Sequence, residues 1–383
     1  MRGIADLPLH DGKVPLWMLR SMERMARSIV KALIELRGHE ALIEGLSNPV
    51  WFQAFNNIIG MDWDSSGSTT VLTAILKKIS WDDDSLGFVV LGGKGSRMRE
   101  VPAEAEVASK RKDLDVNAEN IALFSKIAAR VDSSFLQDGY DLYHHVVIVT
   151  SNSLLVVQQG MDPGRGLARR YHVRYPRPEE PHSGIAGVKR TALDLSSSKS
   201  REVRRVMLEV LSEGPRKALK RFYEAYRVLR GAKPLTSFLS PAQHSWKAPD
   251  ARALASYYTP VKPSRQLLRN IEDLARFQPS SDLDLLLAPG AGPQVIRALA
   301  LVADLIYSTP PSREDPVTHP LDPFLYSYAV GGKDRVPYPY NRKTAVKVAS
   351  ILEEVVLNAK ISSKEKTAML MRLRSMVRGT ENL

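Results

Sequence analysis

A pair of glycines between two apolar stretches of helical spacing constrains this chain more than any other feature. Residues 286–299 read Leu-Leu-Ala-Pro-Gly-Ala-Gly-Pro-Gln-Val-Ile-Arg-Ala-Leu. Gly290 and Gly292 allow the backbone to turn tightly and to approach another molecule closely. Pro293 suits the first position of a helix, where its missing N–H is no loss. The segment therefore predicts a helix, a hairpin turn and a second helix over residues 280–307.

This turn has the chemistry of a phosphate-binding element. The N-terminus of a helix carries unsatisfied N–H donors and a partial positive charge, so it favours an anion. Helix–hairpin–helix elements hold DNA in this way, and such contacts position a protein without reading the base sequence. The pattern predicts duplex DNA as the partner, with Gly290, Gly292, Gln294 and Arg297 as contacts. The alternative is an ordinary capped turn between two packed helices.

Positive charge is concentrated in one part of the chain. The formal net charge is +12, and residues 163–233 hold 18 lysines and arginines against 7 carboxylates, which is +11 of that total. A basic stripe is expected of a surface that follows phosphates and releases counterions. Arg169 and Arg170, near its start, are predicted to contact DNA. A solvated basic helix face or a heat-adapted surface would give the same charge.

Composition excludes several classes of protein. The 383 residues, 44% of them hydrophobic, suffice for two or three globular domains. The absence of cysteine removes disulfides, thiolate metal sites and cysteine nucleophiles, so any metal would bind carboxylates or histidines. No apolar run is long enough for a membrane span, and the first residues lack the apolar stretch of a signal peptide. We expect a cytoplasmic protein with no membrane partner, whose oligomeric state the sequence does not specify.

Helical and strand patterns mix in the first half of the chain, whereas the remainder reads as helical. We expect an α+β fold, with a mixed catalytic domain over residues 1–199 and a helical DNA-binding domain over residues 200–383. Three local predictions accompany this division: a buried strand running into Gly92-Gly93-Lys94-Gly95, a β-hairpin joining residues 143–149 to residues 154–159, and an exposed polar excursion over residues 96–115.

Several short motifs together carry a family resemblance. They are Pro8-Leu9-His10-x-Gly12-Lys13, Trp51-Phe52-Gln53-Ala54-Phe55, Gln137-Asp138-Gly139-Tyr140-x-Leu142-Tyr143-His144-His145, Gln158-Gln159-Gly160-Met161 and Ala168-Arg169-Arg170-Tyr171-His172. With these motifs the chain resembles the archaeal and bacterial domain-of-unknown-function family 763 over nearly its whole length. The resemblance implies no catalytic residue. Members tend to have lysine or valine around the hairpin, whereas this chain has Pro289 and Gln294, which leaves the phosphate contact to the backbone.

Polar side chains that suit chemistry on DNA lie on the loops and strand ends of the first domain, where functional residues collect. An enzyme that excises a base reads the edge of the extruded base with amides and imidazoles, and acts on the sugar with a carboxylate or an amine. This pattern predicts a DNA glycosylase without a cofactor, in which Lys94 is the amine and burial lowers its pKa. The predicted catalytic residues are Lys94, Asp132, Asp138 and His144, and the predicted base-reading residues are Gln53, Gln137, Tyr140 and Gln158.

The pairs His144-His145 and Gln158-Gln159 lie on the two strands of the predicted hairpin. Because successive side chains of a strand alternate between faces, the members of each pair point in opposite directions. One histidine should therefore lie across the hairpin from one glutamine, which gives a His–Gln cross-strand patch. A buried structural role is the alternative for each of these residues.

Two other functions stay open. In a metal-dependent nuclease, Asp62, Asp132 and Asp138 would hold Mg²⁺ through oxygen ligands while Lys94 polarises the attacked phosphate. A DNA-binding or damage-sensing protein without enzymatic activity would need only the hairpin and the basic helices.

Glycosylases of the helix–hairpin–helix class place a lysine just after the hairpin and an aspartate downstream. Gln294 stands where that lysine would be, which excludes lyase chemistry at this position. Asp315 follows 21 residues later and is a candidate for the aspartate, with a surface residue beside Arg313 as the alternative.

Overall fold

The computed structural model describes residues 7–8, 16–60, 67–111, 113–187, 189–231, 261–319 and 342–378. Its helices are α1 Leu16–Ser47, which is interrupted at Gly38, α2 Pro49–Ile59, α3 Gly67–Asp82, α4 Val101–Ala108, α5 Ala118–Arg130, α6 Arg201–Ser212, α7 Pro215–Leu229, α8 Arg265–Phe277, α9 Asp282–Leu287, α10 Pro293–Tyr307, α11 Arg342–Asn358 and α12 Ser363–Arg378. Its strands are β1 Leu7–Pro8, β2 Phe88–Lys94, β3 Leu136–Gln137, β4 Asp141–Thr150, β5 Leu154–Asp162, β6 Leu167–Val173, β7 His182–Ala186, β8 Thr191–Asp194 and β9 Ser312–Glu314.

The fold is α+β, with antiparallel pairing between its strands. The main sheet has the order β1-β6-β5-β4-β2, and β7 pairs with β6 beside β1. A smaller sheet has the order β3-β8-β9. Within the described ranges, no helix is both long enough and apolar enough to cross a membrane.

One face of the main sheet packs against α1, α2 and α3. We call it the α3 face, and it carries Val146 and Val157. Its core is closed by large apolar side chains of the helices, such as Phe52 and Phe55. Helices α11 and α12, which the sequence analysis assigns to the second domain, bury Leu352 in this same core.

The opposite face packs against α4 and α5. We call it the α5 face, and it carries Val147 and Val156, which bury against Phe124. A separate helical core is built from α6 to α10, and the end of α5 joins that core through Ile127. Helix α5 therefore lies between the sheet and the helical part of the molecule.

Most local predictions are confirmed. The strand into Gly92-Gly93-Lys94-Gly95 is β2, and β4 and β5 form the predicted hairpin. The prediction of an exposed polar excursion over residues 96–115 is wrong, because Gly95–Glu100 forms a 3₁₀ turn and α4 follows it. Val101, Ala105 and Ala108 are buried on one side of α4; their helical spacing is obscured in the sequence by the charged residues between them. Strand β6 was not predicted, since its two arginines suggested a surface segment.

Candidate active site and DNA-binding turn

Residues 288–292 form an exposed turn between α9 and α10. Gly290 has φ 82°, in the left-handed region that favours glycine, whereas Gly292 has φ −81° and precedes the first residue of α10, Pro293. Gly290, Pro293 and Gln294 are exposed. Pro293 thus begins its helix as the sequence predicts. The role of this turn as a DNA-binding hairpin stays a prediction.

The turn is attached to the α5 side of the molecule. Arg130, at the end of α5, donates from Nη1 to the Ala291 carbonyl at 3.4 Å. Gln137 donates from Nε2 to the Pro293 carbonyl at 2.9 Å and accepts at Oε1 from Arg297 Nε at 2.6 Å. Two residues predicted separately for base reading and DNA contact therefore contact each other at the base of the turn.

A chain of hydrogen bonds runs through the interior on the α5 face. Ser125 Oγ lies 2.7 Å from His145 Nε2, and His145 Nδ1 lies 2.7 Å from Gln158 Oε1. Gln158 Nε2 donates to Asp132 Oδ2 at 2.6 Å, and the other Asp132 oxygen lies 2.6 Å from His182 Nε2. The His145–Gln158 pair is the cross-strand pair that alternation predicts for this face.

This chain fixes the tautomer of His145. The Gln158 amide nitrogen faces two groups that only accept, the Asp132 carboxylate and the Ala128 carbonyl at 3.1 Å. The Gln158 oxygen therefore faces His145 and accepts from Nδ1–H. Nε2 is then left with a lone pair, which accepts the hydrogen of the Ser125 hydroxyl. A hydroxyl, an imidazole and an orienting third group in this order are the parts of an activated serine.

Electrostatics keeps this imidazole neutral and ready to accept a proton. Burial lowers the pKa of His145, against the opposing effects of Gln158 and Asp132. Burial also acts to lower the pKa of His182, but the Asp132 carboxylate outweighs it, and the pKa of His182 is raised. The chain therefore has a neutral base at one end and an ion pair at the other.

The Ser125 end of the chain opens into a cavity of about 480 Å³ between α5 and the segment that follows β2. His145 and Ser125 lie at its polar end, and Leu123 and Lys126 of α5 line it as well. Cavities of ~300–1,000 Å³ with an apolar lining and a few polar groups are typical of small-molecule sites. The remaining lining residues are Met98, Arg99, Pro102, Ala122, Ala129 and Leu142.

The structure does not bring the four predicted catalytic residues together. Lys94 and His144 pair across β2 and β4 on the α3 face, whereas Asp132 and Asp138 are buried on the opposite side. Lys94 is exposed, with its amine 5.8 Å from the centre of the Tyr143 ring, so burial does not activate it as expected. His144 Nε2 lies 2.9 Å from Thr73 Oγ1, and burial lowers the pKa of His144 to about 3.

Asp138 belongs to a buried ion-pair network. Arg169 Nη1 donates to Asp138 Oδ2 at 2.7 Å, and the Tyr171 hydroxyl donates to the same oxygen at 2.7 Å. Asp315, considered as a surface aspartate, is instead buried and accepts both Arg169 Nη groups, at 3.0 and 2.7 Å. Arg169 also stacks on the Tyr140 ring at 4.6 Å.

Several predicted contact residues are buried. Arg169 and Arg170 are 0% and 3% exposed, so neither lies on a surface that DNA can reach in this structure. Three predicted base-reading residues are also buried, so they do not face a base at the surface: Gln53, Tyr140 and Gln158. The charge pattern wrongly predicted that these arginines are exposed, because the residues that bury them come from distant parts of the sequence.

The predicted Mg²⁺ ligands are only partly described. Asp62 lies outside the described residues. The oxygens of Asp132 and Asp138 already accept from His182, Gln158, Arg169 and Tyr171. In the part of the chain that the structure covers, no three histidine or carboxylate side chains form a group that could hold a metal ion.

Neither Ser125 nor Arg99 was among the functional residues predicted from the sequence. Ser125 stands in the middle of a helix with apolar neighbours, where a serine attracts no notice. The spacing along the helix could have identified it. Ser125 lies four residues after Ile121, on the buried side of α5 that packs against the sheet.

Comparison with known proteins gives one match. The chain matches no curated protein and no solved structure. A family model described as "Protein of unknown function (DUF763)" matches residues 3–340. Because that match covers most of the chain, the protein belongs to the DUF763 family.

Proposed function

We propose that this protein is a DNA-repair enzyme that binds duplex DNA through the turn at residues 288–292 and excises a base that enters the cavity beside α5. The observation that carries the proposal is the connection of these two features through one helix. Ala129 lines the cavity, and the next residue, Arg130, contacts the turn. Within this proposal the enzyme is cytoplasmic, as predicted from the sequence, and acts on DNA in that compartment.

The turn supplies the non-specific part of DNA binding. Gly290 is exposed and Gly292 is half-buried; neither has a side chain that would keep a phosphate from the backbone, and the N-terminus of the 15-residue α10 favours negative charge. Gly290 also lies near Asn270 of α8, whose exposed side carries Arg265 and Arg269. These cations extend the surface on which phosphates can be neutralised.

The cavity supplies the chemistry. An extruded base would lie between the apolar lining residues, with the Ser125–His145 pair at the polar end. In hydrolysis, water adds to the sugar C1′ as the N-glycosidic bond breaks. His145 accepts the proton of that water through the Ser125 hydroxyl, and the nitrogen of the departing base takes up a proton from solvent. Lys126 provides the amine best placed for imine formation with an opened sugar, in place of Lys94.

Base release from duplexes with a single lesion tests the proposal. Uracil, hypoxanthine, 8-oxoguanine and abasic substrates would be incubated with the full chain, with and without EDTA. Because the proposed chemistry uses side chains only, we expect release that persists in EDTA. Cleavage that requires Mg²⁺ would favour the nuclease alternative, and binding without release would favour a damage-sensing protein.

Borohydride trapping separates the two lysines. We expect the covalent adduct on abasic DNA to be lost in Lys126→Ala and retained in Lys94→Ala. Lys94 is a matched control because it is also exposed but lies on the other face of the sheet. An adduct that survives in Lys126→Ala and disappears in Lys94→Ala would instead identify Lys94 as the amine, as predicted from the sequence.

A further inference from the structure

A row of polar side chains crosses the sheet on the α3 face, on the side opposite the cavity. Lys94, His144, Gln159 and Arg170 are directly paired across β2, β4, β5 and β6. Directly paired residues of adjacent strands point to the same face about 5 Å apart. The row therefore places two cations, an imidazole and an amide side by side.

Arg170 in this row is a buried cation without an anion. Its guanidinium lies 4.3 Å from the centre of the Phe52 ring, and Nε donates to His172 Nε2 at 3.1 Å. Its other contacts are Thr69 Oγ1 and the Pro49 carbonyl, both at 3.4 Å. Across the described residues no carboxylate hydrogen-bonds to Arg170. A buried charge is normally paired, because desolvation is costly, and burial lowers the pKa of Arg170 to about 9.

Several buried polar atoms around Arg170 also lack a partner within the described structure. They include two donors, Gln159 Nε2 and Ser68 Oγ, and two atoms that can accept, Asn56 Oδ1 and His144 Nδ1. All four side chains are at most 2% exposed. Buried polar atoms are almost always hydrogen-bonded, so each of these atoms calls for a partner such as a bound ion or an ordered water.

The N-terminus of α3 lies over the same place. The helix begins at Gly67, and Thr69 in its first turn contacts Arg170. The first N–H groups of a helix have no partner within the helix and favour an anion. Thr73, one turn further along, contacts His144 in the row. The first turn of α3 therefore lies at Arg170, next to the strand-paired Gln159 and His144, which carry unpartnered atoms.

We propose that this position binds an oxyanion that carries a hydrogen, which is either hydrogen phosphate or the singly protonated phosphate monoester of a larger molecule. Arg170, Gln159 and Ser68 donate to its oxygens, and the acceptors His144 and Asn56 share the single hydrogen of its P–OH group. Sulfate and phosphodiesters lack that hydrogen at neutral pH and leave the acceptors unpaired. The site is separate from the DNA-binding turn and does not depend on its function.

Calorimetry and thermal melts of the full chain test the site with inorganic phosphate, sulfate, thymidine 5′-monophosphate and thymidine. We expect saturable binding of phosphate that raises the melting temperature, and at least tenfold weaker binding of sulfate. Tight binding of the monophosphate but not of the nucleoside would identify a monoester as the ligand, and binding of phosphate alone would identify the free ion. Both results support the proposal.

Variants assign the binding to these residues. Arg170→Met should abolish phosphate binding and should fold, because it replaces an unpaired buried charge by an apolar chain. Ser68→Ala removes a hydroxyl without a partner, so it should leave the melting temperature in anion-free buffer unchanged and weaken phosphate binding at least tenfold. Lys220→Met, at an exposed cation of α7, is the control and should bind phosphate normally.

Three results would overturn the proposal. The first is that the unmodified chain shows no saturable phosphate binding, which would leave ordered water as the occupant. The second is that thymidine and its monophosphate bind with equal affinity. The third is that phosphate affinity is unchanged in both Arg170→Met and Ser68→Ala.

Discussion

At the scale of single residues, the account depends on the pair of Ser125 and His145. The imidazole is held neutral by burial and is oriented by Gln158, which is itself held by Asp132. Removal of the hydroxyl would leave the base in place but would break its connection to the cavity. The pair therefore gives a direct test of the proposed chemistry.

We predict that Ser125→Ala lowers the rate of base release by about 100-fold, which is typical of losing one part of a general acid–base system. DNA affinity should not change, because the turn is untouched. Ser109→Ala is the matched control, since the Ser109 hydroxyl donates only to the Glu106 carbonyl at the end of α4. Single-turnover kinetics would measure both variants, and equal rates in Ser125→Ala and the unmodified protein would exclude Ser125 from the reaction.

The buried His144 leads to a prediction about how the stability of the protein depends on pH. Its folded pKa of about 3 lies below the ordinary value of 6.5, so the unfolded chain binds the proton more tightly. The neutral imidazole therefore favours the folded state fully above pH 6.5, and this contribution is lost as the pH falls from about 6.5 towards 3. From these values we expect a loss of about 2 kcal/mol between pH 7 and pH 5 from His144 alone.

Urea unfolding at both pH values would measure this effect. The variant His144→Gln should lose about 2 kcal/mol less than the unmodified protein over the same interval. Comparison of the two proteins removes the contributions of the other buried histidines, which are the same in both. An identical pH dependence in the variant would show that His144 is not a buried neutral group.

Alternation along a strand was sufficient to predict the opposite orientations of His144 and His145 and a cross-strand contact between a histidine and a glutamine. It was not sufficient to predict which polar residues are buried. Arg169 lies in a charged segment, and its partners Asp138 and Asp315 come from a turn and from a distant strand end. Burial of such a group depends on contacts that only the folded chain brings together.

At the scale of elements, the turn at residues 288–292 combines two glycines with different conformations. Gly290 requires a positive φ, so a side chain there would strain the backbone by roughly 1–3 kcal/mol. Gly292 has an ordinary φ of −81° and open space around its Cα. Gly292→Ala should therefore fold normally.

We predict that Gly292→Ala weakens duplex DNA binding about tenfold at an unchanged melting temperature, because its methyl group obstructs the approach of a phosphate to the backbone. Gly164→Ala, in the exposed turn between β5 and β6, is the matched control; an added Cβ there would meet only Asp162 at 3.5 Å. Fluorescence anisotropy with a labelled duplex would compare them. Full affinity in Gly292→Ala would reduce the turn to a connection between two helices.

Periodicity predicted most helices and the central hairpin, because their apolar residues follow one spacing over many positions. It failed at α4, where the buried residues Val101, Ala105 and Ala108 are separated by Glu104 and Glu106 and the element is short. It also failed at β6, whose outward and inward positions are both buried and include charged residues. Short elements and strands with buried charges carry too little hydrophobic pattern to be identified.

At the scale of the whole molecule, the positive charge of the basic segment is only partly available to a partner. Arg169, Arg170 and Arg204 are buried. Helix α7, by contrast, exposes Arg216, Lys217, Lys220 and Arg227, and within the described ranges none of these four forms an ion pair. Helix α7 packs against α8, which carries Arg265 and Arg269 and lies next to the turn. We call the exposed cations of these two packed helices the basic surface.

The salt dependence of duplex DNA binding is the sharpest test of the proposed role of the turn and the basic surface. Anisotropy titrations of a 20-base-pair duplex, labelled at one end, would be repeated between low and physiological salt for two unrelated sequences. If the basic surface neutralises five or more phosphates, the logarithm of the binding constant should fall with the logarithm of salt concentration with a slope of about −4 or steeper. Both sequences should give the same slope and similar affinities. A flat plot, or no binding at low salt, would contradict the assignment of this protein to DNA.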